Sequence, residues 1–179
     1  YCASTTPTFS VDTACQIEPA EPTRIALTTA DNSTGSLNII TTADATIRTD
    51  LRAETKDSVP FYVDGLLYIL SRFGFDRLDV LDATSLALQH QISLKDTCVT
   101  STNPQSVAVR DDGVLFVPTY EDTGLQIIDL TKAPGQNLVG RVPMQKYADA
   151  DGIPELSLTI TCGHVVFVSA QRLDRNNGF

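Results

Sequence analysis

The residues best placed for chemistry lie in one acidic stretch, "DADGIPE", residues 149 to 155. Asp149 and Asp151 alternate ahead of Gly152, and Glu155 follows three residues later. Hard divalent cations take carboxylate oxygens at alternating positions before a sharp glycine turn, so Asp149, Asp151 and Glu155 form a candidate calcium set. The register of a complete EF-hand loop is missing, because no further acid follows Asp151 in phase and no late glutamate closes the loop. The competing reading is a polar connection in which Asp-Gly turns the chain into a strand.

Two adjacent acid pairs also stand out: Asp111 and Asp112 in "RDDG", and Glu121 and Asp122 in "YEDTG". Paired carboxylates serve as acid and base in glycoside hydrolysis. At hairpin tips the same pairs are solvated turn residues, and both sit between strand-like runs. His90 falls in an outer-strand segment and His164 beside a turn, which gives no metal-ligand cluster. Neither a G-x-S-x-G elbow nor a phosphate-binding loop occurs. "QRLDRNNG", with Arg172, Asp174 and Arg175, is either the lining of a site or a salt-bridged loop. No catalytic residue is assigned, so a binding protein is expected ahead of an enzyme.

Four cysteines, Cys2, Cys15, Cys98 and Cys162, are disulfide candidates. Four allow three pairings, and none forms the C-x-x-C step of a zinc ribbon or redox centre. Cys2 with Cys15 is the first expectation, because both lie in a loop-like leader with little else to hold it. Free buried thiols are the alternative. The even count, together with a start at Tyr1 that suits a processed chain or a cut fragment, points to an oxidising, extracytoplasmic setting: periplasmic, cell-surface or secreted. Asn32-Ser33-Thr34 matches a glycosylation acceptor triplet.

The net charge of −9 over 179 residues, with basic residues scattered among acids, argues against nucleic acid and anionic lipid as partners. No apolar run is long enough to span a bilayer.

The elements that must position these residues recur along the chain. "LFVPT" at 115–119 matches "LYILS" at 67–71, "VFVSA" at 166–170 and, more weakly, "IALTT" at 25–29. Equivalent positions Ala26, Tyr68, Phe116 and Phe167 are separated by 42, 48 and 51 residues. A second run follows each: "LNIIT" at 37–41, "LDVLD" at 78–82 and "LQIID" at 125–129. Ahead of the first run stand "VPFYVDG", "SVAVRDDG" and "LSLTITCG". Behind the second come the more polar "TIRTDLRA", "ALQHQISL" and "NLVGRVPM". Continuous apolar runs predict strands buried on both faces, and the semi-alternating ones an outermost strand with one wet face. Asp82 and Asp129 end equivalent runs, which predicts a hydrogen-bonding role in the turn that follows. Residues 82–93 offer a weak helical alternative, and a turn plus outer strand fits their place in the repeat better.

A repeat of 40 to 50 residues built from four short antiparallel strands is the pattern of a β-propeller blade. The fold expected is therefore all-β, a partial propeller of about three and a half blades. A leader would occupy 1–23 and the propeller 24–179, with blade 1 at 24–54, blade 2 at 57–95, blade 3 at 104–145 and an incomplete blade 4 at 155–179. Either further blades complete the ring, or the leader around residues 7–11 supplies a strand to a small four-bladed ring.

"NPQSVAVRDDGVLFVPTYEDTGLQIIDL" and "LDVLDATSLAL" resemble the secreted bacterial YVTN-type, or surface-layer-like, β-propeller repeat, and "DADGIPELS" to "AQRLDRN" is similar to other extracellular bacterial propellers. The resemblance covers roughly residues 24 to 179 and implies an extracytoplasmic binding or scaffold module, with a protein partner or the remaining blades beside it, such as a subunit of a cell-envelope assembly. The alternative is a calcium-dependent lactonase or hydrolase of propeller type. Beyond that one calcium option no cofactor is expected.

Overall fold

The structure, a computed structural model, describes residues 22–96, 98–110 and 112–176. The leader with Cys2 and Cys15 lies outside them, as does Asp111 of the first acid pair. Among the described residues, four sheets follow one another along the chain. The first holds β1 (Arg24–Ala30), β2 (Gly35–Thr41) and β3 (Ile47–Glu54) in that order. The second holds β4 (Ser58–Val63), β5 (Leu66–Ser71), β6 (Arg77–Asp82) and β7 (Leu88–Ser93). The third repeats the pattern with β8 (Ala108–Val109), β9 (Val114–Pro118), β10 (Gly124–Asp129) and β11 (Leu138–Pro143), and the fourth pairs β12 (Leu156–Cys162) with β13 (Val165–Ala170). Every pairing is between chain neighbours and antiparallel. Residues 88–93 form a strand, as their place in the repeat requires. A 3-10 turn at Gln145–Tyr147 was not legible in the sequence.

The turns show why the chain folds back where it does. Asp64 and Gly65, between β4 and β5, both take positive φ (48° and 80°), the requirement of a tight two-residue hairpin. After β6, Asp82 Oδ1 accepts the Ser85 N–H at 2.7 Å and the Thr84 N–H at 3.1 Å. After β10, Asp129 Oδ1 does the same for Thr131 at 2.9 Å. Both carboxyls are held below the usual range, mainly by Ser85 in one case and by Thr131 in the other. In the first sheet Thr41 replaces that aspartate, and Asp44 accepts from the Thr46 N–H instead.

The sheets pack face to face. Between the second and third, Tyr68, Leu70, Leu78, Val80 and Ile92 meet Val107, Leu115, Val117 and Ile128. Between the first and second, Leu37 and Ala26 meet Leu67, Ile69 and Leu81. Between the third and fourth, Phe116, Leu125 and Ala108 meet Leu156, Val166 and Val168. Polar stitches join two seams as well. Ser106 Oγ accepts the Thr159 N–H at 2.7 Å. Buried Asp79 on β6 takes Arg52 of β3 at 2.7 Å, Arg77 at 3.2 Å and the Gln91 amide at 3.1 Å. Antiparallel sheets, two of them four-stranded, stacked in chain order make this a partial β-propeller.

Candidate functional site: the loop face

Antiparallel order puts alternate connections on one face: 31–34, 55–57, 72–76, 94–107, 119–123, 144–155 and the segment after β13. The chemistry-bearing residues collect here, and long-range bonds fix the loops to one another. Arg72 reaches Asp57 Oδ1 with Nε at 2.9 Å and Nη2 at 2.6 Å, and its Nη1 reaches Gln105 at 3.1 Å. Asp76, fully buried, latches the β7–β8 connection: Oδ1 accepts from Ser101 Oγ at 2.8 Å and the Asn103 N–H at 3.0 Å, and Oδ2 accepts the Thr102 N–H at 3.1 Å. Between Arg72 and Asp76 the turn presents Phe73 and Phe75 to solvent. Gly74 (φ 86°) separates them, and its N–H donates to Ser101 Oγ at 3.0 Å.

A second centre forms around Arg175. Its Nε donates to Glu155 Oε1 at 3.1 Å, Nη1 meets Glu121, Nη2 reaches the Tyr120 carbonyl at 3.3 Å, and the guanidinium lies 5.4 Å from the Tyr120 ring centre. Glu155 is fully buried, and its other oxygen accepts the Leu173 N–H at 3.1 Å. Burial pushes its carboxyl up, opposed chiefly by that N–H. Its backbone sits at φ 44°, a left-handed position that carries the chain into β12.

The expected calcium set is thus rearranged. Asp149 and Asp151 do come together, but the third carboxylate beside them is Asp174, with one oxygen from each within 4.8 Å of the others. Glu155 points instead at Arg175. Asp149 Oδ2 is buried with no hydrogen-bond partner among the described residues. Asp151 Oδ1 accepts the Ile153 N–H at 2.8 Å, the main cause of its lowered pKa. Three carboxylates with an unsatisfied oxygen suit a hard cation, while the Asp151 oxygens are partly engaged.

The described members of the acid pairs each turn to an arginine. Asp112 binds its neighbour Arg110, which holds its carboxyl at about 2. Glu121 turns to Arg175, while Asp122 turns to Arg141. His90, on β7 of the second sheet, and His164, beside the β12–β13 turn, lie in different sheets. Cys98 is exposed in the β7–β8 connection, and Cys162 ends β12 at the opposite face. Of the loop-face residues, Arg72, Phe73, Phe75 and Asp76 were missed by sequence reasoning. An aspartate just before a third strand, Asp76 here and Asp122 in the next sheet, was the available signal.

The fold and this face define a β-propeller class of protein, and solved structures agree. One similar structure is "Dihydro-heme d1 dehydrogenase NirN in complex with DHE", with a TM-score of 0.58 and 19% identity over 84% of this chain and 30% of that one. Another is a luciferin-regenerating enzyme, with a TM-score of 0.54 and 18% identity over 93% of this chain and 60% of that one. The chain therefore spans under a third of the first and about three fifths of the second. At such identities the likeness establishes fold alone. No family model matches the chain, and no curated protein matches it either, so the surface-layer-type resemblance carries over as architecture only.

Proposed function

We propose that the protein is an extracytoplasmic binding or scaffold module that recognises a protein partner through its loop face, within a larger cell-envelope assembly. The observation that carries this reading is the Phe73–Phe75 turn. Two phenylalanines stand exposed there on a segment tied down by Arg72, Gly74 and the buried Asp76 latch. Aromatic side chains on a rigid support supply contact area at small entropic cost and are typical anchors of protein interfaces. The charged rim formed by Arg72, Asp57, Glu121 and Arg175 suits a polar periphery. The even cysteine count supports the compartment. The test is photo-crosslinking from position 75 in the native envelope fraction, with Phe73→Ser/Phe75→Ser as control. A discrete adduct that the control loses supports the reading, and cross-links indifferent to the control refute it.

One observation favours a second reading, a calcium-dependent enzyme of hydrolase type: the Asp149, Asp151 and Asp174 cluster with its unsatisfied oxygen. These three would hold the ion, and a bound calcium would supply Lewis-acid polarisation of a substrate oxygen. Calorimetric calcium titration of the wild type against Asp149→Asn, with lactone hydrolysis measured alongside, tests it. Tight binding lost in the variant, with calcium-dependent turnover, favours the enzyme over the scaffold.

A further inference from the structure

The seam between the first and second sheets holds a polar cluster that its ion pairs do not use up. Arg52 and Glu54 reach it from β3, Ser71 from β5, and Arg77 and Asp79 from β6. Ser71 and Arg77 stand opposite each other in register, on the face of the second sheet that Ile69, Asp79 and Leu81 share. Five atoms here are buried with no hydrogen-bond partner among the described residues: Arg52 Nη1, Arg77 Nε, Ser71 Oγ and both carboxylate oxygens of Glu54. The Glu54 side chain and Ser71 are fully buried. Arg52 Nη1 lies 3.4 Å from Glu54 Oε1, close enough for charge attraction but out of line for a hydrogen bond.

Buried polar groups are costly to leave unbonded, and the chemistry of these five selects what bonds to them. Two arginines face two carboxylates, so the cluster is neutral and calls for no counter-ion. Arg52 Nη1 and Arg77 Nε only donate, the ionised Glu54 oxygens only accept, and Ser71 Oγ does both. A cation would leave the arginine donors unmet, and an anion would leave the carboxylate unmet. A small neutral molecule that both donates and accepts satisfies all of them.

The seam also has an entrance. At its loop-face end a cleft of about 120 Å³, room for several waters, is lined by Thr28, Thr29, Thr55, Lys56, Asp57 and Ser58. Thr55 follows Glu54 in the chain, and Ser58 stands opposite Ser71 across β4 and β5. Thr55 Oγ1 and Ser58 Oγ meet at 2.7 Å, so hydroxyls wall this end of the cleft.

We propose that the first seam is a hydration site, in which ordered water drawn from this cleft bridges Glu54, Arg52, Arg77 and Ser71 and so joins the first sheet to the second. A buried water makes about three hydrogen bonds, so a few waters serve all five atoms. The other seams are closed differently, the second by apolar side chains and the third with the direct Ser106–Thr159 bond. The site lies inside the stack and stands whether or not the loop face binds a protein.

A high-resolution crystal structure of the full chain, with parallel crystals soaked in bromide, tests the proposal. Water density within hydrogen-bond reach of the Glu54 oxygens and of Arg77 Nε is expected, with no anomalous bromide peak there. Ser71→Ala keeps all four charges and should lose the water beside position 71, with circular dichroism melts confirming the fold. In solution, the carbon-bound Hδ protons of Arg77, which do not exchange, should show nuclear Overhauser contacts to long-lived water in the wild type, weakened in Ser71→Ala. A dry seam in which Glu54 bonds directly to Arg52 overturns the proposal. So does bromide at the cluster, the mark of an anion site, and so do waters that ignore Ser71→Ala.

Discussion

The seam between the second and third sheets and the two outer flanks are built from the same repeat positions, yet one is dry and the others face water. Inside the seam, Leu70, Leu78, Val80, Leu115, Val117 and Ile128 are fully buried against one another. On the flanks, Phe167 and Ile25 hold equivalent posts with nothing upon them among the described residues. The side chains are alike, so the repeat alone does not set the stability of a position; what is stacked on it does. The seam between the first and second sheets is of a third kind. Its apolar cluster is smaller and is joined by the Arg52–Asp79–Glu54 charge group, with Glu54 Oε1 3.4 Å from Arg52 Nη1.

The largest effect should come from that charged seam. Asp79→Ala strips Arg77 of its buried counter-charge and leaves Arg52 only Glu54, and should cost about 3 kcal/mol in urea unfolding; Asp79→Asn, which keeps two of the hydrogen bonds, should cost less. The apolar seam comes next: Leu115→Ala should cost about 2–5 kcal/mol. Phe167→Ala should cost less than about 1 kcal/mol. Equal losses at both positions would dissolve the distinction between seam and flank.

On the loop face, Asp76→Ala removes the acceptor of three hydrogen bonds and should cost about 2–3 kcal/mol. Its local signature would be faster amide exchange at Thr102 and Asn103.

A smaller effect follows from Glu54. Burial raises its carboxyl above the ordinary value of 4.5, with Arg52 opposing. The native state therefore holds its proton to higher pH than the unfolded chain does. Its contribution favours folding at low pH and is lost as pH rises from about 4.5 through the raised value. Glu54→Gln should flatten that part of the stability–pH curve in thermal melts. Asp112 is the smallest case. Its carboxyl, held at about 2 chiefly by Arg110, should shift back toward 3.8 in an NMR titration of Arg110→Ala, with little change in melting temperature.

Much of the architecture was legible because it is written locally. Continuous apolar runs at 67–71, 78–82, 115–119 and 125–129 have nowhere to go but a sheet buried on both faces, and Asp64-Gly65 marks its hairpin within two residues. Asp82 and Asp129 were legible for the same reason, since each binds amides two or three residues away. The site was less so, because its bonds span the chain. Asp76 meets residues 25 to 27 positions away, Glu155 meets Arg175 20 positions away, and Arg52 meets Asp79 27 positions away. Spacing also put Glu155 in the cation set. Its left-handed backbone and its place at the mouth of β12 turn the carboxylate toward Arg175, and Asp174 fills the vacated corner from a segment that carries no pattern of its own.

Amide hydrogen exchange resolved by strand tests the stacked-blade account most directly. The account predicts slowest exchange in β5, β6, β9 and β10, which lie in the middle of their sheets with packed seams beside them, and progressively faster exchange in outer β3, β7 and β11. Uniform protection across all strands, or outer strands that outlast the middle ones, would contradict it.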